Sequence, residues 1–278
     1  MFEFLEVLRS QDFMQNAVII GLLASVACGV TGTYVVVKRI VFISGGISHT
    51  VLGGMGVAYY YGYNPIHGAV AAALVAALVI GLVSLRYHQH EDTIIGALWA
   101  VGMAVGVLFI YKTPGYNVDL MSYLFGNILM VKRESVLLLG CLDGLIIVSV
   151  LLFYKRFLAV CFDEEYSELQ GIGVVATYLL LLCLIALTVV ILIQVVGIVL
   201  VIALLTLPAA TARYFVRSLG QMMVLASILG AVFTTSGLMV SFEPNLPAGA
   251  TIVVIAGLAY LLATVLKGVV ARFYSGTG

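Results

Sequence analysis

FISGGISHTVLGGMGVAYYYG, residues 42–62, contains no Lys, Arg, Asp or Glu. As one helix it is long enough to cross ~30 Å of hydrocarbon. A helix this apolar and this rich in glycine belongs in a bilayer, where small residues let backbones approach closely. Near its middle stands His49. A neutral imidazole is costly in hydrocarbon and packs poorly, so something has to use it, satisfy it or hold it near water.

Outward from this span the same texture repeats at about residues 15–37, 66–86, 93–112, 134–154, 174–194, 198–217, 221–240 and 250–270. That makes nine crossings, or eight if Gln194–Gly197 is no real break. The composition agrees: 63% of the 278 residues are hydrophobic and 9% charged, with a mean hydropathy of +1.19. A soluble domain carries roughly a quarter charged residues, so this chain cannot coat a water-facing surface. The expected fold is an all-α, polytopic integral membrane helix bundle, a single domain over residues 1–278. Zero net charge and no basic stripe exclude nucleic acid as a partner. Alternating strand-like hydrophobicity is absent, which argues against a β-barrel.

Residues 1–14, MFEFLEVLRSQDFM, interleave Glu3, Glu6, Arg9 and Asp12 with apolar positions. They read as an amphipathic surface helix and not as a signal peptide. Basic residues set the orientation. Strict alternation puts Lys38, Arg39, Arg86, Lys155, Arg156, Arg213, Arg217, Lys267 and Arg272 on one face, nine of the 13. That face is expected to be the cytoplasm, with the amino terminus outside and the carboxyl terminus inside. Residues 155–171 then form the longest charged inner loop. Asp163 can cap a short helix there, with Glu164 and Glu165 in its first turn and Gly171 ending it. Residues 113–133, broken by Pro114 and Gly115, are expected to lay a short helix along the outer face.

Two ionisable groups lie at membrane depth, His49 and Asp143, and both are ligand types that a divalent transition metal accepts. At the outer face His67, Asp119 and Glu243 could assist entry of a cation; as solvated residues they need no such role. The inner YHQHED stretch, residues 87–92, is read as a solvated turn with Asp92 capping the next helix, although short His-rich loops can bind zinc. Cys28, Cys141, Cys161 and Cys183 are scattered and read as buried small hydrophobes. Gly102 and Gly106 make a GxxxG, and Pro208 should kink its span. No HExxH and no GxxxxGK[ST] occurs. Ser48 beside His49 makes no hydrolase, since adjacent helical residues point about 100° apart. An enzyme is not expected.

Six stretches, in order, resemble the membrane permease of ABC-type zinc/manganese importers: SGGISHTVLGG (44–54), EDTIIGALWAVGMAVG (91–106), VDLMSYLFGNIL (118–129), FLAVCFDEEYSELQG (157–171), LLTLPAATAR (204–213) and GLMVSFEPNLPAGATIVV (237–254). The resemblance implies a homodimer in a prokaryotic cytoplasmic (inner) membrane, working with two ATP-binding-cassette ATPase subunits and an external metal-binding protein. It implies no cofactor in this chain: ATP and magnesium bind the partner, and zinc first, manganese next, passes through as substrate. Phe162, Asp163, Glu164 and Glu165 resemble the helix that docks on the ATPase. The family's second-span motif reads approximately D-x-x-x-H, and His49 matches its histidine, while Gly45 stands where the acid would be. The metal contacts expected on this basis are His49, with Asp143 as a substitute acid, and a transient contact at Asp119. A permease for a metal chelate and an ion-gradient-driven secondary transporter are the competing expectations; no second copy of SGGISHTVLGG appears to support the latter.

Overall fold

The computed structural model describes residues 2–86, 91–113, 126, 128, 131, 133–244 and 246–275, and among them it contains helices and no strand. In chain order these are α1 (Phe2–Ser10), α2 (Asp12–Lys38), α3 (Val41–Tyr60), α4 (Pro65–Arg86), α5 (Glu91–Lys112), α6 (Arg133–Phe162), α7 (Glu164–Leu169), α8 (Val174–Val196), α9 (Ile198–Ala212), α10 (Leu219–Phe242) and α11 (Ala248–Ser275). Eight of them are long and apolar enough to cross a membrane, and α9 is a shorter apolar helix.

Contacts divide the chain into two compact units. One comprises Met1–Val36, Phe125–Asp143 and Val195–Gly278; the other comprises Val37–Leu124 and Gly144–Gln194. In the first, α2 runs antiparallel to α10. Gly21 lies against Thr234, Ser25 against Gly230, and Gly29 against Ser227. The Ser25 and Thr234 hydroxyls meet at 3.3 Å while each also lies within bonding distance of a carbonyl one turn back in its own helix.

The break before α9 is a true one. Gly197 has φ +81°, a left-handed conformation that a Cβ disfavours, and it separates α8 from α9. With 15 residues, α9 is only ~22 Å long at 1.5 Å per residue, short of the hydrocarbon thickness. Gly126 packs directly on the Val196–Gly197 peptide, and Ile128 is buried near Gly21. Part of the connection between α5 and α6 therefore covers the corner where α9 begins. Most of residues 113–133, Asp119 included, lies outside the described residues, as do His88 and His90. Pro208 sits inside α9, which continues to Ala212.

In the second unit, α4 and α8 are antiparallel, with Gly81 against Leu179 and Leu182, and the Ser84 and Tyr178 hydroxyls 3.4 Å apart. Two local expectations are corrected. α6 does not stop near residue 154 but continues through Lys155 and Arg156 to Phe162. Phe157 and Val160 are buried on this extension, while Arg156 lays its guanidinium 5.7 Å from the Phe153 ring, so long cationic stems snorkel along the helix without ending it. α5 starts at Glu91, which puts Asp92 in the first turn and not at the cap.

Candidate functional site

A closely built seam joins α3 to α5, and glycine determines it. A Cβ on Gly46 would lie 2.9 Å from Ile95, one on Gly53 2.7 Å from the Gly102 carbonyl, and one on Gly56 2.7 Å from the Gly106 carbonyl. Both series ascend together, so the two helices are parallel, as the first and third members of an up–down–up trio must be. Thr50 fixes the register: its hydroxyl donates to the Gly46 carbonyl at 2.8 Å and reaches the Leu98 carbonyl of α5 at 3.3 Å. On the neighbouring side of α3, Gly54 meets Gly68 and Ala72 of α4. The GxxxG of α5 is thus a packing element, as its residue type suggests.

This register brings His49 to Trp99. The rings stack with centroids 4.2 Å apart and planes 16° from parallel. Gly45, one turn before His49 on the same face of α3, makes room for the indole, since a Cβ there would lie 2.9 Å from it. The stack is the one interaction of the His49 side chain among the described residues, and neither ring nitrogen has a hydrogen-bond partner there. An imidazole held by its face has both nitrogens open along its edge, and either is a competent ligand for a transition metal. The sequence singles out His49. It does not reveal Trp99, whose available signal was its status as the only tryptophan in the chain, inside a span with the matching glycine spacing.

Asp143 belongs to the other unit. It is 5% exposed, and neither carboxylate oxygen has a hydrogen-bond partner among the described residues. The buried Cys28 thiol of α2 lies within its electrostatic reach. His67 is exposed in the first turn of α4, behind Asn64, whose side chain accepts from the Ile66 amide at 3.0 Å. Glu243 is exposed at the end of α10. Among the described residues no three His, Cys, Asp or Glu side chains converge on a possible metal position. Of the four cysteines, Cys28 and Cys161 are buried, whereas Cys141 is exposed and Cys183 half-buried.

The short α7 forms as its sequence dictates. Asp163 adopts extended backbone angles and its carboxylate accepts from the Tyr166 amide at 2.9 Å. Ser167, fully buried, donates to the Asp163 carbonyl, and Gly171, with φ +74°, lets the chain leave the helix. The two acids of the first turn take different roles. Glu164 turns inward onto Lys38 at the end of α2. That ammonium also donates to the Val160 carbonyl at 3.0 Å and lies 5.5 Å over the Tyr178 ring. Glu165 stays exposed, beside Phe162 (70% exposed), Tyr166 and Leu169 (87% exposed). The α6–α7 corner is therefore anchored underneath and presents a mixed apolar and acidic surface outward.

Residues 10–267 match the model of the ABC 3 transport family. A protein of Chlamydia trachomatis named a probable metal transport system membrane protein is 43% identical over 250 residues, 88% of this chain and 85% of that one. The manganese transport system membrane protein MntC of Halalkalibacterium halodurans is 33% identical over 276 residues, 98% of this chain and 94% of the relative. Among solved structures, PsaBC from Streptococcus pneumoniae, determined in complex with a Fab, matches with a TM-score of 0.85 and 31% identity over 95% of each chain.

Proposed function

Since the chain belongs to the ABC 3 transport family, we propose that it is the membrane permease of an ATP-binding-cassette importer that moves a divalent transition metal into a prokaryotic cytoplasm. His49 is the observation that carries this reading: an imidazole inside an apolar span, stacked by one face on Trp99, with neither nitrogen hydrogen-bonded among the described residues. An unbonded ligand suits a conduit, which has to hold its ion weakly enough to let it go. Asp143, whose buried oxygens meet no donor among the described residues, is the second contact, because a carboxylate is a ligand that a passing divalent cation accepts.

Manganese and zinc both fit an imidazole and a carboxylate. The MntC proteins of Halalkalibacterium halodurans and Listeria monocytogenes are named for manganese transport, which supports placing manganese ahead of zinc. Because the sequence holds no phosphate loop, the energy comes from a separate ATPase, seated on the exposed Phe162, Glu165, Tyr166 and Leu169 of the α6–α7 corner. An external metal-binding protein loads the opposite face, and a second copy of the chain completes the pathway. The bond between Lys38 and Glu164 supports placing the end of α2 and α7 on one face, the side rich in basic residues and hence the cytoplasmic one.

The experiment is uptake of Mn²⁺ and Zn²⁺ by cells that carry the permease with its ATPase and binding protein, at limiting metal. His49→Ala is expected to lower the rate at least ~10-fold, equivalent to about 1.4 kcal/mol, at normal membrane levels. Unchanged uptake would remove His49 from the pathway. Phe162→Asp combined with Leu169→Asp should abolish copurification of the ATPase while the permease still inserts.

A further inference from the structure

We propose that Trp99 is the positioning residue for His49: Gly45 and His49 hold the indole between them on one face of α3, and the stacked indole fixes the imidazole plane while leaving both nitrogens to the metal. The inference rests on the reading of His49 as a pathway ligand and adds to it a residue from a different helix.

Three features support the assignment. First, the rings are stacked at 4.2 Å and 16°, an arrangement that constrains the tilt of the imidazole but makes no demand on its nitrogens. A metal-binding histidine is ordinarily oriented by a hydrogen bond from its second nitrogen, which also fixes the tautomer. His49 has no such bond among the described residues, so orientation has to come from the ring face. Second, the space for Trp99 exists because residue 45 is glycine; any larger residue would bring its Cβ to 2.9 Å from the indole. Third, Trp99 cannot slide along α3. The neighbouring Leu98 carbonyl is reached by Thr50, and the Gly53–Gly102 approach fixes the seam one turn further on.

Two consequences follow for a divalent ion. The indole covers one face of the ring, so an ion reaches His49 along the edge, where the nitrogens lie. With the tautomer unfixed by any hydrogen bond among the described residues, either nitrogen can serve as the ligand while the other carries the proton.

The test is Mn²⁺ uptake by the complete transporter, with membrane level and ATPase copurification measured in parallel. Trp99→Leu and Trp99→Phe are each made in the native chain and in the His49→Ala chain. Trp99→Leu should slow uptake about fivefold in the native chain, Trp99→Phe should recover at least half of that loss by restoring a stacking ring, and neither should have any further effect once His49 is absent. Should Trp99→Leu fail to accumulate in the membrane, Gly45→Ala takes its place, because the added methyl displaces the indole while leaving both rings present. Uptake unchanged by Trp99→Leu, no rescue by Trp99→Phe, or a fivefold loss that persists in the His49→Ala chain would each overturn the proposal. Uptake unchanged by His49→Ala itself would instead overturn the reading on which it rests.

Discussion

His49 and Asp143 each stand inside an apolar stretch of their own helix, yet their surroundings differ in kind. Among the described residues, His49 has a partner for its ring face and none for its nitrogens. Among the same residues Asp143 has no partner for either oxygen, and it is almost completely covered. Ionisable side chains at membrane depth are expensive, so both need an explanation, but different ones. An imidazole can be neutral and partly hydrophobic, and an aromatic wall suits it. A carboxylate buried without a donor loses its water and gets nothing back, and it is tolerated best when a ligand or a change of state makes good the deficit. Similar placement in the sequence thus conceals a supported group and an abandoned one.

The difference can be broken or sharpened by substitution, beginning with the largest effect. Loss of the imidazole in His49→Ala should reduce metal uptake at least ~10-fold, whereas Asp143→Asn should reduce it about threefold (~0.7 kcal/mol). If both fall equally, the two groups are of one kind and the comparison fails. Second, Asp143→Leu should raise thermal stability in detergent by about 1–2 kcal/mol, since a buried polar group without a hydrogen bond costs about that much, while His49→Ala should lower it through lost stacking of about 0.5–1.5 kcal/mol. A stability loss in Asp143→Leu would mean the carboxyl has a structural partner after all.

Third, a double-mutant cycle on Lys38→Met and Glu164→Gln should give a coupling of about 0.5–1 kcal/mol, modest because the pair is partly exposed to solvent. Its effect on metal-stimulated ATP hydrolysis should exceed its effect on stability, if Glu164 sets the tilt of α7 and does not itself touch the ATPase. Smallest of all, Ser25→Ala at the α2–α10 seam should cost about 0.6 kcal/mol, as interhelical hydrogen bonds in membranes do on average, with no change in uptake. A large transport defect there would move the pathway, or part of it, to that seam.

The sequence made α7 legible almost in full because its signals are local: an Asp at the cap, acids in the first turn, a glycine in the left-handed region after the last turn. The same signals could not tell Glu164 from Glu165. One reaches Lys38, more than a hundred positions earlier in the chain, and the other does not, and no pattern within ten residues encodes that difference. Eight of the nine apolar stretches were legible too, since the cost of polar groups in hydrocarbon acts on each segment separately; the one expected over about 198–217 is the shorter α9, which ends at Ala212. The length of α6 was not: Lys155 and Arg156 look like an end, but long cationic side chains can run along a helix and leave it intact.

Helical spans and the capped α7 were determined by the sequence itself, because hydropathy and capping act over a few neighbouring residues, whereas the break at Gly197, left open by the sequence, is set by its positive φ. Tertiary structure alone decided that Gly126 covers the start of α9, that Asp143 meets no donor among the described residues, and that Trp99 stacks on His49 in the gap left by Gly45. Those relations join residues far apart in the chain through the register of packed helices, and register depends on how two whole surfaces of small and large side chains fit together.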